Sequence, residues 1–135
     1  MDIEQNVVTT LVEAAREVRN NAYAPYSGFR VGAALLAEDG RIIVGCNVEN
    51  SSYSLTCCAE RSAVFTALSA GIAAFHAVAI SADGKAVPPC GACRQVLSEF
   101  GPELTVILDD PSGTPRTLSL VNLLPEPFTP DFLKK

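Results

Sequence analysis

A three-layer α/β domain is predicted by three features of the sequence. Apolar segments of strand length alternate with segments of helical periodicity. An Asp-Gly pair joins two adjacent strand-like runs. The 135 residues suffice for one hydrophobic core and leave too little chain for a second, so residues 1–135 are expected to form a single domain.

Val7, Val8, Leu11, Val12, Ala15 and Val18 recur at helical spacing between charged residues, which predicts an amphipathic helix ending near Asn20-Asn21. Ala24-Pro25-Tyr26-Ser27-Gly28 breaks it. Val31 to Ala37 and Arg41 to Cys46 then read as two strands, rich in small residues and expected near the centre of the sheet, joined through Glu38-Asp39-Gly40. A second helix is expected to start near Thr56, to bury Ala63, Val64, Ala67 and Leu68, and to stop at Gly71. Phe75 to Ser81 is a strand and Asp83-Gly84-Lys85 a loop. A third helix begins at Cys90, packs Val96, Leu97 and Phe100, and ends at Gly101-Pro102. Leu104 to Leu108 is a strand, Thr117-Leu118 a short one, and Leu120 to Leu124 a last helical piece.

Composition excludes several classes of function. A net charge of −5 and a pI near 4.8 do not suit a protein that grips a phosphate backbone, so the substrate is expected to be small and no nucleic acid is a partner. The longest apolar runs are too short or too interrupted to cross a bilayer, so no membrane association is expected. A hydrophobic content of 48% with mean hydropathy +0.24 suggests surface buried against further copies of the chain. Met1 to Thr10 lacks a secretory pattern and the five cysteines are an odd number, which points to the cytoplasm and to metal or catalytic roles for thiols.

Two segments carry the chemistry. Leu55-Thr56-Cys57-Cys58-Ala59-Glu60-Arg61 and Pro88-Pro89-Cys90-Gly91-Ala92-Cys93-Arg94-Gln95 each run into a helical pattern. Helix N-termini carry partial positive charge and stabilise thiolates, so Cys58, Cys90 and Cys93 can converge on one Zn2+ and leave a tetrahedral position open for water. Glu60, two residues after Cys58, is placed to take that water's proton. Three thiolates over-neutralise zinc, and Arg61 is the candidate to donate hydrogen bonds to them, with Arg94 a weaker one. Cys57 is one helical step, about 100°, from Cys58. Cys46 reads as a small buried hydrophobe and His76 as structural. Asn47 and Glu49, two apart at a strand end, can face one way as a polar pair for hydroxyl recognition, although the same residue types suit a turn.

Cys58-Ala59-Glu60-Arg61 followed by Pro89-Cys90-Gly91-Ala92-Cys93-Arg94-Gln95 has the pattern of zinc deaminases. It closely resembles the homotetrameric cytidine deaminases in which three cysteines hold the zinc. Ala24-Pro25-Tyr26-Ser27, Phe29, Val31-Gly32-Ala33-Ala34, Gly45-Cys46-Asn47-Val48-Glu49-Asn50, Leu123-Leu124-Pro125 and Phe128 extend the resemblance over nearly the whole chain. It implies a cytidine deaminase-like α-β-α sandwich with a mixed sheet, and hydrolytic deamination of cytidine and deoxycytidine to the uracil nucleosides and ammonia. It also implies that Asn47 and Glu49 clamp the ribose, that Phe29 flanks the pyrimidine and that backbone near Ala59 holds the base edge. Phe128 would reach across a tetramer interface into a neighbour's site. Tyr26 and Tyr53 remain candidates for the pocket rim or an interface.

Other readings fit less well. A thioredoxin-like pair at Cys90 and Cys93 leaves the third thiol and its neighbouring glutamate unexplained. A closed structural zinc module needs a fourth ligand that the sequence does not offer. Deamination of a nucleoside-like antibiotic, as in blasticidin-type enzymes, is disfavoured by Asn47-Val48-Glu49-Asn50. Editing of single-stranded nucleic acid is disfavoured by the acidic charge and the absence of Trp.

Overall fold

The computed structural model describes residues 3–134. Its elements are α1 (Gln5–Arg19), β1 (Val31–Ala37), β2 (Ile42–Cys46), α2 (Ala59–Ser69), β3 (Phe75–Ala82), α3 (Gly91–Phe100), β4 (Thr105–Leu108), β5 (Arg116–Ser119) and α4 (Leu120–Leu123), with 3-10 turns at Tyr53–Leu55 and Pro130–Leu133. The strands form one mixed sheet in the order β2-β1-β3-β4-β5. Pairing is antiparallel except between β3 and β4, which run parallel because α3 carries the chain from one to the other.

Alternation along the strands divides the core into two layers. Ala33, Leu35, Ala37, Val78, Ile80, Val106 and Leu108 pack with α2 and α3 on one face. Ala34, Ala77, Ala79 and Ile107 face Val8, Leu11, Val12 and Ala15 of α1 on the other. The second layer is built largely of alanine, so α1 lies very close to the sheet. A Cβ on Gly32 would come 2.1 Å from the Ala15 carbonyl oxygen, and one on Gly45 would come 2.3 Å from the Ala63 amide nitrogen of α2. Arg16 fastens α1 further through a two-armed pair with Asp109, at 2.8 and 2.7 Å, while the Ser81 hydroxyl donates to the same carboxylate at 2.8 Å. These bonds, led by that from Arg16, hold the nearly buried Asp109 carboxyl below the usual carboxylate range.

Two expectations are corrected. β1 is interior, but β2 is an edge strand, with Ile42 and Val44 37% and 38% exposed. The second helix begins at Ala59, three residues later than Thr56, because the Cys57 N–H and C=O are both used in an antiparallel bridge to Val48 and are not available for a helix. Gly71 ends α2 as expected: at φ 82° it turns the chain so that the Ile72 N–H reaches the Ala67 carbonyl and its own N–H the Leu68 carbonyl. Among the described residues no helix is long and apolar enough to cross a membrane.

Gly32→Ala and Gly45→Ala are each expected to destabilise the fold by roughly 1–3 kcal/mol through overpacking against backbone. Gly113→Ala, where a Cβ meets nothing within 4 Å, serves as the control. Thermal unfolding checks this, and midpoints equal to the control's would mean that the helices can back away from the sheet.

Candidate active site

Two helices begin at one place. Cys58 is the N-cap of α2 and Cys90 the N-cap of α3, and both have extended backbone. A serine or aspartate at an N-cap turns its oxygen back onto the helix amides. Neither cysteine makes such a bond, so both sulfurs are free to meet, and they lie 3.8 Å apart. Cys93, in the first turn of α3 and fully buried, brings its Sγ to within 4.8 Å of the other two. Tetrahedral zinc with Zn–S bonds of about 2.3 Å holds its sulfurs about 3.8 Å apart, so this donor set fits the ion in both chemistry and spacing. Among the described residues no further His, Cys, Asp or Glu joins the cluster, which argues against a closed structural site.

Arg61, one turn into α2, donates from Nη2 to the Cys58 Sγ at 3.2 Å. The neighbouring Cys93 thiol, followed by the Arg61 hydrogen bond and charge, brings the Cys58 thiol down to about 5 against the opposing effect of burial. The negative Cys58 beside it and its own burial push Cys93 up. Glu60 is only 5% exposed, and burial first, then the negative Cys58, raises its carboxyl to about 7. A group at this value can both give and accept a proton near neutrality.

Glu60, Cys58 and Cys90 line one cavity of about 190 Å³ together with Phe29, Val31, Asn47, Ala59 and Ile80. A second cavity, of about 410 Å³, is lined by Tyr26, Ser27, Glu49, Tyr53 and Thr56, and Thr56 is a wall of both. Tyr26 and Tyr53 meet edge to face across it, with ring centroids 5.9 Å apart. Asn47 and Glu49 do not bond to each other. The Asn47 side chain donates to the Phe29 carbonyl at 2.8 Å and accepts from the Val31 N–H at 2.8 Å, so it fixes the backbone on both sides of Arg30. Glu49 accepts from the Tyr26 and Ser27 amides and from the Ser27 hydroxyl, and the Ser27 bond leads in lowering its pKa.

Several residues stand elsewhere than the sequence suggests. Cys57 does not turn away by a helical step, because it precedes the helix. It lines the cavity beside Cys58, with its thiol directed to the Cys58 carbonyl at 3.6 Å. Arg94 does not reach the sulfurs: its Nε donates to the Pro89 carbonyl and its Nη1 to the Leu123 carbonyl. Phe128 is 57% exposed and lies outside the cavity. His76 lines a separate cavity with Glu38 and Glu103. Cavity walls that sequence reasoning missed, Val31, Ile80, Val87 and Pro88, carry no signal beyond ordinary apolarity.

This fold and site define a zinc-binding α/β domain of the catalytic type, in which two of three clustered thiols, those of Cys58 and Cys90, share a cavity with a buried carboxyl. The chain belongs to the family described as the cytidine and deoxycytidylate deaminase zinc-binding region, which residues 5–109 match. It is 47% identical over 135 residues to a cytidine deaminase of Sporosarcina psychrophila, covering 98% of this chain and 96% of that protein. It is also similar to two crystal structures. The cytidine deaminase from Burkholderia pseudomallei has a TM-score of 0.84 at 48% identity, over 93% of this chain and 100% of that one. The enzyme from Mycobacterium tuberculosis has a TM-score of 0.79 at 44% identity, over 94% and 98%.

The raised Glu60 carboxyl predicts a pH signature in chelator-treated protein. The folded chain keeps a proton that the unfolded chain releases near 4.5, so this group's contribution is full below 4.5 and is lost as pH rises through about 7. Relative to Glu60→Gln, the metal-free wild type should lose up to about 3 kcal/mol of stability across that window. Urea unfolding from pH 4 to 8 measures it, and parallel profiles for the two proteins would contradict the shift.

Proposed function

We propose that the chain hydrolyses cytidine and deoxycytidine to uridine and deoxyuridine with release of ammonia, and that its 135 residues act as one deaminase unit. The observation that carries this reading is that Glu60, 5% exposed and with its carboxyl raised to about 7, lines the same cavity as Cys58 and Cys90. Cys58, Cys90 and Cys93 would hold the zinc, which when bound would supply Lewis acidity to activate water near neutral pH. Glu60 takes a proton from water and delivers it to ring N3 as the C–O bond forms at C4; it then takes the remaining proton of the added hydroxyl and passes it to the amino group, which leaves as ammonia as the C4 carbonyl forms. Arg61 offsets the negative charge of the thiolates. Backbone at Ala59 holds the base edge, and Phe29 flanks the ring.

The adjoining cavity suits a sugar, with Asn47 lining the smaller space, Glu49 the larger, and Thr56 both. Glu49 can exchange a loop contact for a ribose hydroxyl, and Asn47 retains a free N–H while it braces Phe29. The names of the relatives support a cytosine nucleoside as substrate. Five cysteines without a disulfide suit a reducing cytoplasm.

The metal assignment predicts one zinc per chain, lost on changing Cys58, Cys90 or Cys93 to Ser and kept in Cys46→Ser and Cys57→Ser. Elemental analysis reads this directly, and a metal-free Cys57→Ser protein would overturn the ligand choice. Glu60→Gln should retain the zinc yet lose at least about a hundredfold in turnover, because an amide cannot relay protons. Activity within a few fold of wild type would remove Glu60 from the chemistry.

The chain is further proposed to work as a homotetramer whose sites are shared, with Phe128 of one copy packing on the base bound by the next. Exposed Tyr53, Leu55, Phe65, Phe128 and Phe132 supply apolar surface for such contacts. Phe128→Ala should weaken substrate binding by about 1–3 kcal/mol, by analogy with base stacking, while zinc content is unchanged. Once subunit exchange is demonstrated, mixing inactive Glu60→Gln with inactive Phe128→Asp chains should restore activity, and a mixture that stays inactive rules out the shared site.

A further inference from the structure

Little holds the tail that follows α4. Pro125, Pro127 and Pro130 supply no N–H. Phe128 and Phe132 stack on each other with ring centroids 5.6 Å apart and remain 57% and 71% exposed. Among the described residues, the hydrogen bonds that fasten residues 125–129 to the body of the protein come from one side chain. Gln95 donates from Nε2 to the Phe128 carbonyl at 2.8 Å, and its Oε1 accepts from the Phe128 N–H at 3.1 Å. A single amide thus satisfies both backbone groups of one residue, as a neighbouring strand would. Gln95 stands two positions after Cys93 on α3. Its neighbour Arg94 bonds to the Pro89 carbonyl, just before Cys90, and to the Leu123 carbonyl, just before the tail. The first turns of α3 therefore carry two of the three thiols and also set where the tail begins and where its aromatic residue stands.

We propose that Gln95 is a positioning residue for substrate recognition, which holds the Phe128 backbone at a fixed place relative to the thiol-bearing turn. The proposal rests on the reading that Phe128 packs on the base in a neighbouring copy. Ordering each tail residue has an entropic cost, and the aromatic ring is useful only in the fraction of chains where the tail is seated. Loss of the clasp lowers that fraction, and apparent affinity falls with it. The proton chemistry at Glu60 is untouched, so the change belongs in KM rather than kcat.

The test uses the zinc-loaded enzyme and four proteins: wild type, Gln95→Met, Phe128→Ala and the double variant. Methionine keeps the length of the glutamine side chain and removes both hydrogen bonds. Gln95→Met should raise KM for cytidine about tenfold, with kcat within about twofold and zinc per chain unchanged. It should also speed hydrogen exchange in a peptide covering residues 123–130. In residues 125–130 only Glu126, Phe128 and Thr129 have amides, so the signal is local. In the double variant KM should equal that of Phe128→Ala alone, because a clasp with no ring to position has nothing left to contribute. If KM rises in Phe128→Ala and stays at the wild-type value in Gln95→Met, or if the two effects add, the proposal is overturned and the shared-site reading stands. If Phe128→Ala leaves KM unchanged, that reading falls and takes the proposal with it. Gln95→Glu, which keeps the acceptor but not the donor, should lie between wild type and Gln95→Met, and serves as the second variant if methionine impairs folding.

Discussion

Positive charge converges on three sulfurs, and much of this protein's architecture serves that convergence. The N-termini of α2 and α3 both end on cysteines, and the Arg61 guanidinium joins them at the Cys58 sulfur. These partial and full charges favour thiolates at a cluster that runs from the exposed Cys90 to the buried Cys93. Both helices lie on the same face of the sheet, and their starts are fixed by what precedes them: the bridge of Cys57 to Val48 before α2, and the consecutive prolines Pro88 and Pro89 before α3. Glu60 is buried because it follows Cys58 into the helix, and its raised pKa is a by-product of that position.

The opposite face is built for closeness. Alanines at positions 34, 77 and 79 and glycine at 32 let α1 lie against the strands, and the Arg16, Asp109 and Ser81 bonds fasten that helix near the ends of β3 and β4. Arg19 continues the network to Ser81 and Asp83, and Arg30 also pairs with Asp83. Arg30 follows Phe29, so the network supports the loop that supplies one wall of the site. Packing on the far side of the sheet and the shape of the cavity are thus linked through a short run of side chains.

Local patterns made much of this legible in the sequence. The strand at Val31 to Ala37, the stop at Gly71 and the cysteine spacing all show within ten residues of themselves, where period and turn chemistry operate. What stayed hidden depends on partners far along the chain. The late start of α2 follows from Val48 capturing Cys57, and the edge position of β2 from the way β3 pairs on the other side of β1. Asn47 and Glu49 are recognisable as a polar pair, but their present partners in residues 26–31 are set by tertiary contact. Gln95 shows in the sequence only as the last residue of the Pro89–Gln95 motif, and its partner Phe128 lies too far along the chain for the motif to reveal what it holds.

The one parallel pairing in the sheet bears on how the molecule assembles. The β1–β2 ladder closes across a short turn, whereas Ala77 must find Thr105 across the whole of α3 before β3 and β4 can join. Loop closure has to be met before that ladder repays it, so the step is expected to come late in folding, which pulse-labelled amide exchange during refolding can time. Because α3 is the crossing segment, Cys58 would meet Cys90 and Cys93 only then. Until that moment a newly made chain would carry the Cys93 thiol without the burial that later protects it, and a reducing environment would matter most to the protein while it is still folding.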